Sequence, residues 1–439
     1  SAADYIATWR RAVNSSDVVT LRDLDHAVEV LDVASGAAEP LRRLVESVRT
    51  NTVIYDAKAS GTKAAGSKLP NEQDLAQARR IEREFAPLAQ MLAVSGDKPA
   101  YLDDVNRAVL ALHDTLKAVQ DSPDRGQSAL DAVLKRTQQG GSDPSFTLRR
   151  IAGGMPEPLG EQVNRLADES VRVLMLEALR ELERRWERDV HAFYREHLAT
   201  AYPFDPASRQ DASLEDLEAF FGPQGRLQQF DDQYLHPFIE DGGRSGNGIG
   251  RALLHASLQH QLQMAQRIRE AFFNNSGRMG LQFDVQPLAL SSQDRNSVLN
   301  VDGQLVGYAH GPSAPSGLIW PNTLRDGVES KLTLDDAGGR TRSLRYAGPW
   351  SWFRLLSQAQ LNGATANSVD VSFVLGESKV RYRIVADKSV NPFTQRLFKD
   401  FALPRTLSEP AAPVPLDVAA PTANAVAPAN AAAPATIRR

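Results

Sequence analysis

The chain has 439 residues, with 50 lysines and arginines against 54 aspartates and glutamates, which gives a formal net charge of −4. This balance provides no bulk field that would attract nucleic acid or an anionic bilayer, so it argues against polyanion binding. The sequence contains no cysteine, which excludes disulfides, thiolate metal sites and a cysteine nucleophile. No segment approaches the roughly 18 consecutive apolar residues of a membrane helix, and Ser1 opens no signal-peptide pattern. The chain is therefore either soluble and cytosolic or a fragment separated from a membrane anchor.

The first half of the chain has the periodicity of amphipathic helices. One such helix is predicted behind Thr20, which is a candidate cap. Its apolar face consists of Leu24, Ala27, Val28 and Leu31. The longest periodic run extends from about Pro158 to Leu198, and two prolines in the segment 202–206 end it. We therefore predict a helical domain over residues 1–204.

Shorter helices follow over residues 205–278, which we predict to be a helical linker subdomain. Ser213 is a candidate cap with Asp216 three residues later, and Gly222-Pro223 ends that helix. A glycine-rich connection over residues 241–248 leads into a helix from about Arg251 to Phe273.

From Met279 onward the apolar period changes to two, which is typical of strands. Three hairpins are predicted, across Asp302-Gly303, across residues 336–339 and across Gly376-Glu377. Trp350, Phe353 and Leu356 share one face of a short helix between strands. Residues 279–404 are therefore predicted to form an antiparallel β-sandwich. Residues 405–439 are rich in alanine and proline, which predicts a disordered tail.

The predicted fold class is thus α+β and multidomain, with elongated helical domains followed by a C-terminal antiparallel β-sandwich and a disordered Ala/Pro-rich tail. No motif in this sequence predicts catalysis or a cofactor. The segment from Gly61 to Lys68 has the lysine and serine of a phosphate loop in reversed order. The histidine pairs lie six and five residues apart, which does not fit the i, i+4 spacing of a helical zinc site. We predict no catalytic, cofactor-binding or metal-binding residues.

The candidate partner-binding residues lie in the Gly/Pro-rich loop over residues 311–316 and in the adjacent segment that begins with Trp320. They are Gly311, Pro312, Pro315, Trp320, Pro321 and Asn322. Loops beside a rigid scaffold often carry recognition. An ordinary surface loop is the alternative, and Trp320 is either a core residue or an exposed anchor.

An ordered set of motifs supports a family resemblance. The motifs are Ser213–Gly225, Phe230–Pro237, Ile268–Phe273, Trp320-Pro321, Gly348–Leu356 and Phe401–Pro404. Together they resemble the C-terminal region of the IcmF/TssM family, the large inner-membrane component of the bacterial type VI secretion system.

This resemblance implies a periplasmic segment of an inner-membrane-anchored protein of a Gram-negative bacterium. The implied role is a structural scaffold of the secretion membrane complex, with no enzyme activity and no cofactor. The β-rich end is expected to dock the outer-membrane lipoprotein TssJ. Contacts with TssL and the inner membrane are expected through an N-terminal part missing from this chain, with homo-oligomerisation in the full complex and no nucleic acid. The alternative is a periplasmic hydrolase acting on the cell wall, which requires carboxylates or a Ser/His pair converging in a cleft.

Overall fold

The computed structural model describes residues 2–14, 20–36, 39–53, 71–139, 143–240, 248–322, 328–394 and 396–409. The predicted loop over residues 56–68, most of the glycine-rich connection and nearly all of the predicted tail lie outside the described residues.

The first part of the described chain is helical. Its helices are α1 Ala2–Asn14, α2 Leu24–Ser35, α3 Pro40–Thr52, α4 Glu72–Gln90, α5 Tyr101–Gln120, α6 Arg125–Gln139, α7 Pro144–Ala152 and α8 Leu159–Trp186. They continue with α9 Leu214–Phe221, α10 Arg226–Phe230, α11 His236–Glu240, α12 Ile249–Leu253 and α13 Ala256–Phe272. Three π-helical segments, Glu187–His191, Tyr194–Leu198 and Asp231–Leu235, lie among them. No described helix is both long and apolar enough to cross a bilayer.

Helix α8 is the centre of the helical part. It packs against α2, α6 and α7, and its buried residues recur on several faces, which is typical of a helix surrounded by others. The predicted run from Pro158 to Leu198 is confirmed, because π-helical segments continue α8 as far as Leu198.

The caps were predicted correctly at one helix and wrongly at another. Ser213 accepts the amide hydrogen of Asp216 at 3.0 Å, as predicted. The prediction of Thr20 as the cap of α2 is wrong, because Asp23 accepts the amide hydrogen of His26 at 2.8 Å. The backbone before Asp23 is held elsewhere, since Leu21 is fully buried and donates its amide hydrogen to Glu169. A side chain at Asp23 satisfies one of the free amides of the first turn.

The last part of the described chain forms two antiparallel sheets. Its strands are β1 Leu281–Leu290, β2 Asp294–Val301, β3 Gln304–Tyr308, β4 Ser316–Trp320, β5 Glu329–Asp336, β6 Thr341–Ala347, β7 Gln360–Ala364, β8 Ser368–Leu375 and β9 Ser378–Ala386. One sheet has the order β4-β1-β9-β8-β7 and the other has the order β3-β2-β5-β6. The predicted sequence of helices followed by an antiparallel β-sandwich is confirmed.

All three predicted hairpins are present. Val301 pairs with Gln304 across the Asp302-Gly303 turn, Leu332 pairs with Leu344, and Val371 pairs with Tyr382. The predicted short helix is α14, Ser351–Leu356, between β6 and β7.

An aromatic cluster joins the helices to the sandwich, and we call it the junction. Its members are Phe272, Trp320, Trp350, Phe353 and Phe398. The ring centroids of Trp320 and Trp350 lie 5.1 Å apart, and those of Phe272 and Phe398 lie 4.8 Å apart. Because Phe272 ends α13 whereas Trp320 ends β4, both parts of the chain share this core.

The chain returns to the helices after the last strand, in a segment of residues 396–408 that we call the strap. It contains the short helix α15, Arg396–Lys399. Tyr194 donates its hydroxyl hydrogen to the Phe401 carbonyl at 3.2 Å, and the Trp186 indole donates to the Pro404 carbonyl at 3.0 Å. Ser408 donates its amide hydrogen to Glu183 of α8 at 3.0 Å. The strap therefore fastens the end of the sandwich chain to α8.

A largely buried ion pair also crosses the junction. Arg354 of α14 donates from Nε to Asp211 Oδ1 at 2.9 Å and from Nη1 to the Ser208 carbonyl at 3.0 Å. Its guanidinium carbon lies 4.1 Å from the ring centroid of Tyr202. The side chains of Arg354 and Asp211 are 16% and 14% exposed.

Replacing Arg354 with alanine should lower the free energy of unfolding by about 2–4 kcal/mol, because Asp211 would remain in a mostly buried site without its cation. The control is Arg345→Ala, which removes a partner of Glu329 from a pair whose side chains are 64% and 30% exposed. That change should cost less than about 1 kcal/mol. Urea unfolding followed by circular dichroism measures both, and equal losses would contradict the interpretation of the Arg354 pair.

Trp350 and Trp352, which are two residues apart in the sequence, provide a second test of the junction. Both Trp350 and Trp352 are fully buried. The Trp350 indole donates to the Ala212 carbonyl at 2.8 Å, whereas the Trp352 indole nitrogen has no hydrogen-bond partner in the described part of the chain. Trp350→Phe should therefore destabilise the protein by about 1–2 kcal/mol more than Trp352→Phe, since only the first change removes a buried hydrogen bond. A smaller loss for Trp350→Phe in the same urea titrations would refute this.

Candidate functional site

The predicted partner-binding residues lie along one edge of the five-stranded sheet. The loop that carries Gly311, Pro312 and Pro315 leads into β4, and Pro321 and Asn322 follow that strand. β4 pairs with β1, and its register runs from Leu281 opposite Trp320 to Val285 opposite Ser316.

The structure divides these six residues into an exposed group and a covered group. Gly311, Pro312 and Pro315 are exposed, and Pro321 is half-buried. Trp320 is 1% exposed and Asn322 is 7% exposed. The covered side chains can position a docking surface, whereas only the exposed group can contact a partner in this conformation.

Trp320 has the core role that the sequence left open. Its indole donates to the Pro349 carbonyl at 3.0 Å, and its ring centroid lies 4.9 Å from that of Phe353. A buried aromatic with a satisfied polar atom contributes to packing, and an exposed anchor would require its ring at the surface. Trp320 therefore fixes the end of β4 to the junction.

Asn322 fastens the segment after β4 to the β2–β3 turn. Its side-chain amide donates to the Asp302 carbonyl at 3.0 Å. The Asp302 carboxylate lies close to the Asn322 amide and accepts from the Ser351 hydroxyl at 3.3 Å. Burial raises the pKa of Asp302, which the hydrogen bonds from Asn322 and Ser351 only partly counter.

The exposed loop is held in place from beneath. The Tyr308 hydroxyl donates to the Gly311 carbonyl at 3.2 Å, and Gln286 donates to the Ser313 carbonyl at 3.0 Å. The His310 imidazole lies 2.7 Å from the Asp294 carbonyl. Gly311 has a φ of +85°, a conformation that glycine adopts at little cost. A loop fixed in this way loses little conformational entropy on binding.

Sequence reasoning missed two exposed apolar residues at the same edge. Ile319 is 39% exposed and Leu305 is 67% exposed. Between them, Gln304 of β3 accepts the Ile319 amide hydrogen at 2.9 Å and donates to the Ile319 carbonyl at 2.7 Å. The alternation in β4, where Leu318 and Trp320 are buried, already places Ile319 on the outer side.

A cleft of about 1060 Å³ borders this edge. Ile319 and Pro321 form one wall, and Leu214 and Glu215 of α9 contribute another. Arg278 also lines the cleft and pairs with Glu218 at 3.0 Å. Its mixed polar and apolar walls suit a protein segment better than a small apolar ligand.

Two histidines bear on the alternative of a cell-wall hydrolase. His255 accepts the Ser257 amide hydrogen at 3.1 Å and so caps the N-terminus of α13. The side chain of His236 is 65% exposed and lies 3.5 Å from Glu240. Neither lines the cleft beside β4. Within the described ranges, no three histidine, aspartate or glutamate side chains converge as metal ligands.

The raised pKa of Asp302 predicts a pH dependence of stability. The ordinary pKa of an aspartate is 3.8. The contribution of Asp302 to the free energy of unfolding is therefore fully present below pH 3.8, and it is lost as the pH rises through the raised pKa of the folded state. Asp302→Asn should therefore gain stability relative to the parent chain between about pH 4 and pH 7. Asparagine also tolerates the φ of +49° at this position.

Asp370→Asn is the control for this test, because a hydrogen bond from Arg383 lowers the pKa of Asp370. The contribution of Asp370 to the free energy of unfolding is present above its ordinary pKa and is lost as the pH falls. Asp370→Asn should therefore be less stable than the parent chain at neutral pH. Guanidinium unfolding over the same pH range measures both differences. Trends of the same sign in the two variants would contradict the assignment.

Comparisons with known proteins agree with the motifs. Residues 283–388 match the family described as the type VI secretion protein IcmF C2-like domain, and residues 2–53 match the IcmF-related family. The type VI secretion system component TssM1 of Pseudomonas aeruginosa is 28% identical over 435 residues, which cover 92% of this chain and 39% of TssM1. The chain thus spans about two fifths of the length of this relative.

Two solved structures have the same fold. A chain of a structure titled "Type VI secretion system membrane core complex" gives a TM-score of 0.71 at 19% identity, over 93% of this chain and 83% of that one. A chain of a "Type VI membrane complex" gives 0.70 at 18% identity, over 93% and 84%. The two family models and the similarity to TssM1 along most of the chain confirm the resemblance to the IcmF/TssM family that the motifs indicated.

Proposed function

We propose that this chain is a structural scaffold of a type VI secretion membrane complex. In this proposal it is a periplasmic segment that extends toward the outer membrane and docks the lipoprotein TssJ through its sandwich. The similarity to TssM1 and the fold shared with chains of the two membrane-complex structures support this role. Contacts with TssL and the inner membrane would come from parts of the protein outside this chain.

The main observation that supports the docking proposal is the exposed loop beside β4, which hydrogen bonds hold in one conformation. Gly311, Pro312 and Pro315 project from it, and Ile319 extends the exposed surface along the strand. Trp320 and Asn322 act from beneath, because Trp320 attaches the end of β4 to the junction and Asn322 attaches the next residues to the β2–β3 turn. We call these exposed residues together the β4 face.

The junction gives this role a mechanical basis. A strut must transmit displacement from one end to the other, which requires that its parts do not rotate freely. Here Arg354, Trp350 and the strap each connect the sandwich to the helices by hydrogen bonds. A partner bound at the β4 face is therefore coupled to α8.

Replacing Ile319 with glutamate should weaken TssJ binding at least tenfold, or about 1.4 kcal/mol, because it introduces an unpaired charge into the β4 face. Leu361→Glu is the matched control, since Leu361 is 49% exposed on β7 at the opposite edge of the same sheet. Isothermal titration with purified TssJ from the same organism measures the affinities. Binding that neither variant alters would place the docking surface elsewhere, and no binding by the parent chain would refute docking itself.

Gly311→Val tests the loop conformation without adding a steric clash. No atom lies within 4 Å of a Cβ built at Gly311 or at Gly307, but only Gly311 has a positive φ. Valine should therefore strain the loop by about 1–2 kcal/mol at Gly311 and have little effect in strand β3 at Gly307. TssJ affinity should fall for Gly311→Val alone. Equal affinities for the two valine variants would exclude a role for this loop shape.

A further inference from the structure

Strand β7 is an edge strand with both faces uncovered. It ends the five-stranded sheet and is hydrogen-bonded to β8 on its inner side. All five of its residues are exposed, and the exposure continues from Leu361 through Asn367. A strand in this position presents unpaired backbone groups to other chains.

The other three sheet edges in the described sandwich carry protection. The side chain of Gln304 connects the edges of β3 and β4, because it hydrogen-bonds both backbone groups of Ile319. Strand β6 packs against α14 and carries two arginines. One of them, Arg342, donates to Ser378 of the other sheet at 3.1 Å. Charged side chains and covering elements are the usual means of blocking an edge.

β7 has few of these protective features. The segment from Ser357 to Ser368 contains no charged residue and no proline. Its one protective feature is a register shift between Leu361 and Gly363, where a bulge interrupts pairing with β8. This bulge shortens the available edge and does not cover it.

At this edge, the inner face of the five-stranded sheet is not fully covered by the opposing sheet, as the position of Leu361 shows. It lies directly opposite Val371, which is 1% exposed, so both side chains are on the inner face of the sheet. Leu361 is nevertheless 49% exposed. An apolar residue on the inner face of a sheet normally packs against an opposing layer, and here β7 extends beyond it.

We propose that β7 pairs antiparallel with β7 of a second copy of this chain and thereby joins two five-stranded sheets into one. The neutral segment around β7 favours this partner, because two-fold pairing of identical strands would place like charges opposite each other if the segment carried any. The two-fold axis also brings the two Leu361 side chains to the same face, where each shields the other. A charged peptide would find no complementary charge on this segment.

The association is expected to be weak, because the paired strands are short and each carries a bulge at its centre. A dissociation constant on the order of 100 µM to 1 mM is reasonable for so small a contact. Such a contact becomes effective when other contacts of an assembly hold the copies close together. The surface lies at the opposite edge of the sheet from the β4 face, so each proposal can fail without the other.

Cysteine mapping on the full chain tests the pairing directly, since the protein has no cysteine of its own. Gln360→Cys, Leu361→Cys and Ala364→Cys place single thiols along β7. Val374→Cys is the control, because Val374 is 51% exposed on β8 of the same sheet, away from the edge. Under mild oxidation at least one β7 variant should give a disulfide-linked dimer with several times the yield of the control. Equal yields for all β7 positions and Val374 would overturn the proposal.

Sedimentation equilibrium up to about 1 mM protein gives an independent measurement. The parent chain should show concentration-dependent dimer formation, and Leu361→Lys should raise the dissociation constant at least tenfold. Val374→Lys should leave it unchanged, which separates the edge from a general effect of added charge. Dimer formation that is equally strong in Leu361→Lys would also overturn the proposal.

Discussion

The arrangement of the described chain depends on the junction, where aromatic rings from both halves of the sequence form one core. Aromatic pairs of this kind contribute about 0.5–1.5 kcal/mol each beyond the area that they bury. Phe272 contacts Trp320, Trp350 and Phe398, so the end of α13, the end of β4, the start of α14 and the strap all meet at one ring. A contact shared among four segments restricts rotation more than a single linker can, because no segment can move without breaking several contacts.

Polar groups at the junction determine how the two parts fit together. Aromatic packing alone tolerates several orientations, whereas hydrogen bonds require particular donors and acceptors to face each other. The Trp350 indole reaches the Ala212 carbonyl, and Arg354 reaches Asp211 and the Ser208 carbonyl, all from the segment just before α9. The strap adds the bonds from Trp186 and Tyr194. These bonds select one orientation of the sandwich on the helices.

Local sequence patterns predicted much of the fold, and long-range contacts account for what they missed. The Asp-Gly turn at residues 302–303 and the alternation before and after Gly376 determine their hairpins within about ten residues of chain. Asp23 and Thr20 are both of residue types that cap helices, and it is Asp23 that caps α2, whereas the backbone at Leu21 is bound to Glu169, 148 residues away. The strap could not be predicted, because Pro404 lies 218 residues from the tryptophan that holds it.

The candidate site shows the same limit. A Gly/Pro-rich loop indicates exposure, and Gly311, Pro312 and Pro315 are exposed. Residue type does not separate a buried tryptophan from an exposed one, so Trp320 stayed ambiguous until its neighbours were known. The exposure of Ile319 could have been predicted from the alternation of buried and exposed residues along β4. Strand β7 could hardly be predicted, because only one of its five residues is large and apolar.

The two proposed surfaces must recognise their partners by different means. At β4 the Gln304 side chain already occupies both backbone groups of Ile319, so an incoming strand would have to displace two hydrogen bonds before it could pair there. Binding at that edge therefore relies on side chains and on the shape of the fixed loop, which can discriminate between partners. At β7 the backbone is accessible and the side chains are neutral, so recognition there comes from main-chain hydrogen bonds. Main-chain pairing carries little sequence specificity, and it suits contacts between identical copies that an assembly has already brought together.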